Sequence, residues 1–169
     1  MTGRNKVQSP PAEIIAEVST LCDLWDDITP LLEAIKNALS KAGVFQDFDG
    51  KTVEISIVLA DDPFVQNLNK TYRDKDKSTN VLSFPQDPTP QDPAPALGDV
   101  ILAFETVKAE AEEQTKPFND HLSHLLIHGI LHLLGYDHEN DADAEEMETL
   151  EATLLATLGI KNPYTPIVD

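Results

Sequence analysis

The sequence has a single cysteine, no long apolar run and few basic residues, and each shortage excludes a class of protein. Cys22 alone cannot form an internal disulfide, and its apolar neighbours without a basic group favour a packing role. The longest apolar stretch, Leu125 to Leu134, is far shorter than the roughly 20 residues that cross a bilayer. Met1 to Pro11 is polar and does not resemble a secretory signal. These features predict a cytoplasmic protein with no membrane partner.

Positive charge is scarce, because 12 Lys and Arg face 30 Asp and Glu, for a net charge of −18. This balance argues against a DNA partner and against general coating of duplexes, since phosphate binding needs a positive surface. Four basic residues nevertheless lie between Lys70 and Lys77, where one phosphate could be held. The stretch from Asp137 to Glu151 carries eight acidic residues and no Lys or Arg. We interpret it as the solvated face of the last helix, with a surface for a basic ribosomal protein as the alternative.

Apolar periodicity predicts alternating strands and helices in a layered arrangement, without internal repeats. The predicted strands are Ala12 to Val18, Thr52 to Ala60, Val81 to Phe84 and Gly98 to Phe104. The predicted helices are Pro30 to Gly43, Asp62 to Tyr72, Glu105 to Lys116, Asp120 to Leu134 and Asp141 to Leu158. Asp27 or Thr29 is expected to cap the first helix, with Pro30 in its first turn, and Asp62 the second, with Pro63 at its first position. Arg73 to Thr79 and the proline-rich Gln86 to Pro95 are expected to be loops.

Three of the five histidines have the spacing of a zinc site. His128 and His132 are four residues apart on a predicted helix, so their imidazoles project from one face and can reach one metal ion. Gly135 allows the chain to leave the helix with a positive φ and brings His138 round to the same ion. Three neutral imidazoles, with a fourth position left to water, predict one catalytic Zn²⁺.

The spacing equals that of the long zinc-protease signature H-E-x-x-H-x-x-G-x-x-H, with one difference. Gly129 stands where the proteases have the glutamate that acts as general base, so a peptidase would lack its proton acceptor. His124 is expected to pack or border the cleft rather than to be a ligand, since a fourth protein ligand would displace the water. His121 is expected to be exposed. Asp137 could orient an imidazole or simply begin the acidic surface.

The segment HGILHLLGYDH, residues 128–138, resembles the signature of the YbeY family, bacterial metal-dependent endoribonucleases that mature ribosomal RNA. Similar stretches occur in the same order at LNKTYR (68–73), TNVLSFP (79–85), LGDV (97–100) and EEM (145–147). The resemblance extends from about Ala12 to Tyr164. It implies an α+β single domain over 12–169, behind a flexible tail at 1–11. It also implies a mixed sheet of mostly short strands flanked by helices, and a metal site at the end of a central buried helix.

The resemblance further implies a zinc-dependent endoribonuclease that cuts single-stranded rRNA in small-subunit maturation and ribosome quality control, with the small subunit or its proteins as partners. Arg73 matches a functional arginine of the family that lines the same cleft as the metal. A guanidinium fork can bind phosphate oxygens and stabilise the charge that builds in phosphoryl transfer. Our hypothesis is that zinc activates water or polarises the phosphate while Arg73 neutralises its charge. Lys75 and Lys77 could follow the flanking backbone or remain solvated charges.

Two other functions stay open from the sequence. One is a different hydrolase on the same three histidines, for example a peptidase or a small-ester hydrolase, against which Gly129 and Arg73 both argue. The other is a non-catalytic ribosome-assembly factor whose zinc only holds the turn between two helices. Whether water or a ribose 2′-hydroxyl attacks the phosphate is also open.

Overall fold

Four strands and five α-helices form within residues 9–89 and 91–164, the parts of the chain that the computed structural model describes. The strands are β1 (Glu13–Thr20), β2 (Thr52–Ala60), β3 (Val81–Pro85) and β4 (Ala96–Ala103). The helices are α1 (Thr29–Lys41), α2 (Asp62–Arg73), α3 (Phe104–Glu113), α4 (Phe118–Leu133) and α5 (Asp141–Thr157), with a 3-10 turn at Gln46–Phe48. Each predicted element is present, with its ends within three residues of those predicted.

The strands form one mixed sheet in the order β1-β2-β4-β3. β1, β2 and β4 run parallel, so that Ile57 in β2 lies between Val18 in β1 and Val100 in β4. β3 pairs antiparallel with β4, and this pairing sets Ser83 opposite Val100. The parallel strands are joined through helices, as parallel pairs require. The expected α+β fold with a mixed sheet is therefore confirmed.

Alternation along β4 divides the apolar residues between the two faces of the sheet. Val100 and Leu102 belong to the main core, which α1, α4 and α5 cover. Ile101 and Ala103 point the other way, into a smaller cluster with Val65 of α2. Helices consequently flank the sheet on both faces.

α4 is the central helix, and ten of its sixteen residues are buried. It packs against β3, β4 and the helices α1, α3 and α5. Because almost every side of α4 is apolar, the polar side chains on it need partners or a cleft. No helix within the described ranges is both long and apolar enough to cross a membrane.

The helix ends correct two predictions. Asp61 rather than Asp62 caps α2, by accepting a hydrogen bond from the Phe64 amide at 3.0 Å. Asp62 instead accepts from the backbone amide and the hydroxyl of Thr106 at the start of α3, at 3.1 and 2.9 Å. α2 also continues through Arg73, which was predicted to begin a loop. Arg73 thereby gains a fixed backbone position in a last helical turn.

The first helix begins differently from either predicted cap. Ile28 occupies the cap position of α1 without a side-chain hydrogen bond. The Asp27 carboxylate accepts a hydrogen bond at 2.9 Å from the amide of Thr29, the first residue of the helix. A capping side chain would accept from the amide of the second or third residue. Of the tail predicted at 1–11, residues 1–8 lie outside the described part of the chain. The Pro10 carbonyl accepts a hydrogen bond from the Gly50 amide at 2.7 Å.

Candidate metal centre

The three spaced histidines come together at the end of α4. His128 and His132 lie on adjacent turns of the helix, with their Nε2 atoms 3.1 Å apart. The His138 ring lies 5.7 Å from the His128 ring and 5.2 Å from the His132 ring, centroid to centroid. One ring nitrogen of each histidine lies within 4.8 Å of the other two.

The chain reverses after α4 in the way the glycine predicts. Gly135 has φ +101°, a conformation that other residues adopt at a cost. The Tyr136 amide bonds back to the Leu131 carbonyl at 3.1 Å, and the Gly135 amide bonds to the His132 carbonyl at 3.1 Å. These bonds satisfy carbonyls at the end of the helix and direct the following residues back toward it. His138 reaches the other two histidines by this route.

The donor set fits a metal ion such as zinc. Tetrahedral zinc with Zn–N bonds of 2.0–2.1 Å places its ligand nitrogens about 3.3 Å apart. The 3.1 Å between the Nε2 atoms of His128 and His132 is close to that separation. Burial, and then the nearby His128 and His138, lower the pKa of His132. His132 is therefore neutral near pH 7, as a metal-binding imidazole must be.

A buried carboxylate that the sequence did not reveal supports the cluster. Glu151 of α5 has a fully buried side chain, and its Oε2 lies 2.8 Å from Nδ1 of His128. Its Oε1 lies 2.7 Å from Nε2 of His124 and accepts a 2.5 Å hydrogen bond from the Tyr164 hydroxyl. Burial alone would raise the pKa of Glu151, but the hydrogen bonds from His124, His128 and Tyr164 lower it to about 2. Glu151 is thus ionised and can only accept.

The predicted roles of the other histidines turn out differently. His124 borders the cleft and bonds to Glu151, in agreement with a supporting place beside the cluster. His121, predicted to be exposed, is instead buried, with Nε2 2.8 Å from Oε1 of Glu110. Its ring lies beside that of His124, one turn later in α4, and α3 supplies the carboxylate that pairs with its Nε2. Asp137 orients no imidazole in the described structure; its Oδ1 accepts from the Glu139 amide.

Arg73 lies on the opposite wall of the same cleft. The cleft has a volume of about 660 Å³, and its lining includes Arg73, the three clustered histidines and Tyr164. Nη2 of Arg73 donates to the Ser83 carbonyl at 3.0 Å, and the guanidinium lies 5.5 Å from the centre of the Phe84 ring. The arginine remains exposed, so most of its donors can reach a ligand. Lys75 and Lys77 are also exposed but do not line the cleft.

Gly129 packs directly against the sheet. A Cβ atom built there would lie 2.7 Å from Cγ1 of Val100 in β4 and 3.2 Å from Oγ of Ser83 in β3. The Gly129 carbonyl also accepts a 3.1 Å hydrogen bond from the Ser83 hydroxyl. The glutamate of the protease signature would therefore collide with the sheet at this position. Packing, as well as chemistry, separates this site from that of the zinc proteases.

Two histidines on a buried helix, a third on the following turn and a facing arginine define a protein with a site typical of metal-dependent hydrolases. The model of the family described as Endoribonuclease YbeY matches residues 24–159. The chain belongs to the YbeY family, which makes it a nuclease and hence a hydrolase.

Similar proteins agree over nearly the whole length of the chain. Endoribonuclease YbeY of Bradyrhizobium diazoefficiens is 45% identical over 166 residues, covering 95% of this chain and 91% of the relative. That of Paramagnetospirillum magneticum is 53% identical over 149 residues, covering 85% and 91%. The solution structure of TM1509 from Thermotoga maritima is similar in fold, with a TM-score of 0.54 at 23% identity, covering 92% of this chain and 99% of that one.

Proposed function

We propose that this protein is a zinc-dependent endoribonuclease that cuts single-stranded regions of rRNA during small-subunit maturation and ribosome quality control. We assign His128, His132 and His138 as the ligands of one Zn²⁺ and Arg73 as the residue that binds the phosphate. The observation that carries the proposal is the convergence of three histidine nitrogens within 4.8 Å, in a cleft that Arg73 also lines. The endoribonuclease names of the relatives support RNA as the substrate.

The residues of the cleft divide the chemistry between them. Zinc bound at this site would supply Lewis acidity toward the phosphate and would lower the pKa of water. Arg73 holds its guanidinium at the cleft with one N–H on the Ser83 carbonyl, which leaves the other donors for phosphate oxygens. Charge that develops on those oxygens is stabilised by donors already in place. Arg73 thus binds the substrate phosphate, while the histidines hold the metal ion.

The shape and charge of the molecule support a single strand delivered by a partner. A cleft of about 660 Å³ has the size of a small-ligand pocket, which suits a segment of extended strand better than a duplex. The net charge of −18 weakens the attraction of RNA to the rest of the surface. We propose that the small ribosomal subunit or its proteins bring the RNA to the enzyme in the cytoplasm.

The test combines metal content with cleavage in the same samples. Wild type and His128→Ala are purified, their metal is measured by elemental analysis, and both are assayed on single-stranded and duplex rRNA fragments. Wild type stripped with a chelator and reloaded with zinc is the control for metal loss without a mutation. We expect near-stoichiometric zinc and single-strand cleavage in wild type, and the loss of both in the variant.

The other outcomes contradict the proposal in different ways. Zinc without cleavage would favour the non-catalytic assembly factor, and cleavage of peptides or esters instead of RNA would favour another hydrolase. A folded wild-type protein that binds no metal would overturn the ligand assignment itself.

A further inference from the structure

Glu151 places a full charge in the core beside the proposed metal site. Its side chain has no exposure, and an isolated buried carboxylate would be strongly destabilising. Both carboxylate oxygens are used: Oε2 faces Nδ1 of His128, and Oε1 faces Nε2 of His124 and the Tyr164 hydroxyl. The network joins α4, α5 and the segment that follows α5. Because burying this charge is unfavourable and both oxygens are hydrogen-bonded, we expect Glu151 to have a specific structural role.

The role of Glu151 follows from which ring nitrogen of His128 carries the proton. The Tyr164 hydroxyl and two imidazoles surround the two oxygens of the buried carboxylate, so Oε2 accepts the Nδ1–H of His128. The lone pair of His128 is then on Nε2, the atom that lies 3.1 Å from Nε2 of His132. The opposite tautomer would leave Nε2 protonated and unable to bind a metal ion. Glu151 therefore selects the tautomer and ring orientation that a ligand at this position requires.

A second metal ion between these groups is the competing interpretation. His124, His128 and Glu151 also bring ligand atoms within 4.8 Å of one another. The N···O separations of 2.7 and 2.8 Å are hydrogen-bond distances. Two ligands of one tetrahedral ion would be about 3.3 Å apart. Direct hydrogen bonds therefore account for the geometry, and the carboxylate supports the first site.

We infer that Glu151 is a positioning residue for the ligand His128, and that Tyr164 and His124 hold the Glu151 carboxylate in place. This inference rests on the proposed metal site. Outer partners of metal-bound histidines commonly change metal affinity about 10–100-fold when they are altered. The role extends the functional site to the segment after α5, about 36 residues beyond His128 in the sequence.

The first measurement uses wild-type protein without metal. Long-range ¹H–¹⁵N NMR correlations of the histidine rings report which nitrogen of His128 carries the proton. We expect the Nδ1–H tautomer. The Nε2–H tautomer in wild type would overturn the inference, whatever the variants do.

The second measurement is zinc affinity, by competition with a chromophoric chelator, in Glu151→Gln and Glu145→Gln. The two changes are chemically identical, but Glu145 is exposed on the same helix. A glutamine offers one acceptor and one donor group, so it cannot accept from both histidines. We expect zinc binding about 10–100-fold weaker in Glu151→Gln and unchanged in Glu145→Gln. The visible spectrum of the Co²⁺ form should shift in Glu151→Gln alone.

Two milder variants keep the inference testable if Glu151→Gln does not fold. Glu151→Asp keeps the charge but withdraws it from His128, and Tyr164→Phe removes one hydrogen bond to the carboxylate. We expect weaker zinc binding in both, by about tenfold or less, since each retains part of the network. Wild-type affinity in every folded Glu151 variant would overturn the positioning role. Failure of wild type to bind zinc would instead contradict the proposed function, and the tautomer measurement would still stand.

Discussion

The two walls of the cleft are built in different ways. On the α4–α5 wall, called the histidine wall below, His124 and His128 are partly buried and bonded to the fully buried Glu151 carboxylate, so the core fixes their orientation. His138, on the turn after α4, is exposed. On the α2–β3 wall, Arg73 is exposed and held by one hydrogen bond to the Ser83 carbonyl and by the Phe84 ring. Buried hydrogen bonds hold the histidine wall, as the orientation of metal-binding imidazoles requires. The arginine wall can adjust to a phosphate that arrives and leaves.

This difference has a consequence for mutations. Changes on the histidine wall should alter metal affinity and folding stability together, because the same hydrogen bonds serve both. Changes at Arg73 should alter catalysis alone, since exposed charges contribute little to stability.

Among substitutions that leave the proposed metal ligands intact, replacing Arg73 should give the largest effect on catalysis. We expect Arg73→Ala to lower kcat/KM for single-stranded rRNA by about 10²–10³-fold, the usual cost of removing a donor aimed at developing charge. Zinc content and melting temperature should stay at the wild-type values. The measurements are cleavage kinetics, elemental analysis and thermal unfolding of the same preparations.

The matched control for Arg73 is Lys75→Ala, because Lys75 is an exposed basic residue of the same region that does not line the cleft. We expect about twofold change or less, as is usual for solvated surface charges. Equal losses in the two variants would mean that Arg73 acts only through general charge. A loss of zinc in Arg73→Ala would show that the two walls are not independent.

A methyl group at Gly129 tests how tightly α4 holds the histidine wall against the sheet. An exposed glycine inside a helix would gain about 1 kcal/mol on replacement by alanine. At Gly129 the new Cβ would meet Val100 at 2.7 Å, so we expect Gly129→Ala to lower the free energy of unfolding by about 1–3 kcal/mol. Denaturant unfolding measures the change.

A second substitution identifies the cause of that loss. Val100→Ala removes the methyl groups that the new side chain meets. The double variant should therefore lose less free energy of unfolding than the sum of the losses in the two single variants. Additive losses would contradict the proposed collision. A more stable Gly129→Ala variant would mean that the helix is free to move away from the sheet.

His121, a buried histidine near the start of α4, should give the smallest effect on stability, and this effect depends on pH. Burial lowers the pKa of His121, although its hydrogen bond to Glu110 acts in the opposite direction. His121 therefore binds a proton more readily in the unfolded chain than in the folded one. Because protonation favours the unfolded state, the free energy of unfolding falls as pH drops below about 6.5. The slope that one such group adds is at most about 1.4 kcal/mol per pH unit.

The His121→Gln variant removes that titration. We expect the stability advantage of wild type over the variant to shrink between pH 7 and pH 5, measured by denaturant unfolding with a chelator present. Parallel pH profiles would show that His121 does not titrate on unfolding. A change in zinc affinity would connect His121, whose Nε2 bonds to Glu110 rather than to Glu151, to the histidine wall.

Local patterns predicted most of the fold and the proposed ligands. The alternation in β2 and the apolar stripe of α4 identified their elements, since each pattern depends on neighbours within one strand or helix. The ends of elements were less predictable, because Asp61 and Asp62 are both good caps. Only the contact of Asp62 with Thr106, 44 residues later, decides between them.

Glu151 was missed because its sequence surroundings are acidic. Eight acidic residues from Asp137 to Glu151 suggested a solvated helix face, and five of them are exposed, while Asp137 and Glu148 are partly buried. One signal was present: Glu151 follows Met147 by four residues and precedes Leu154 by three, so it falls on the buried stripe of α5. A charge on such a stripe predicts a buried partner, but the sequence does not say which residue it is.

The sequence by itself determined the spacing of His128, His132 and His138, because a helical turn and a glycine reversal are local geometry. It also contained the resemblance that pointed to Arg73. Tertiary structure alone decided that Glu151 meets His128, that His121 is buried and that Gly129 touches the sheet. Each of these depends on elements distant in sequence, whose packing sets both the space and the hydrogen-bond partners that a side chain receives.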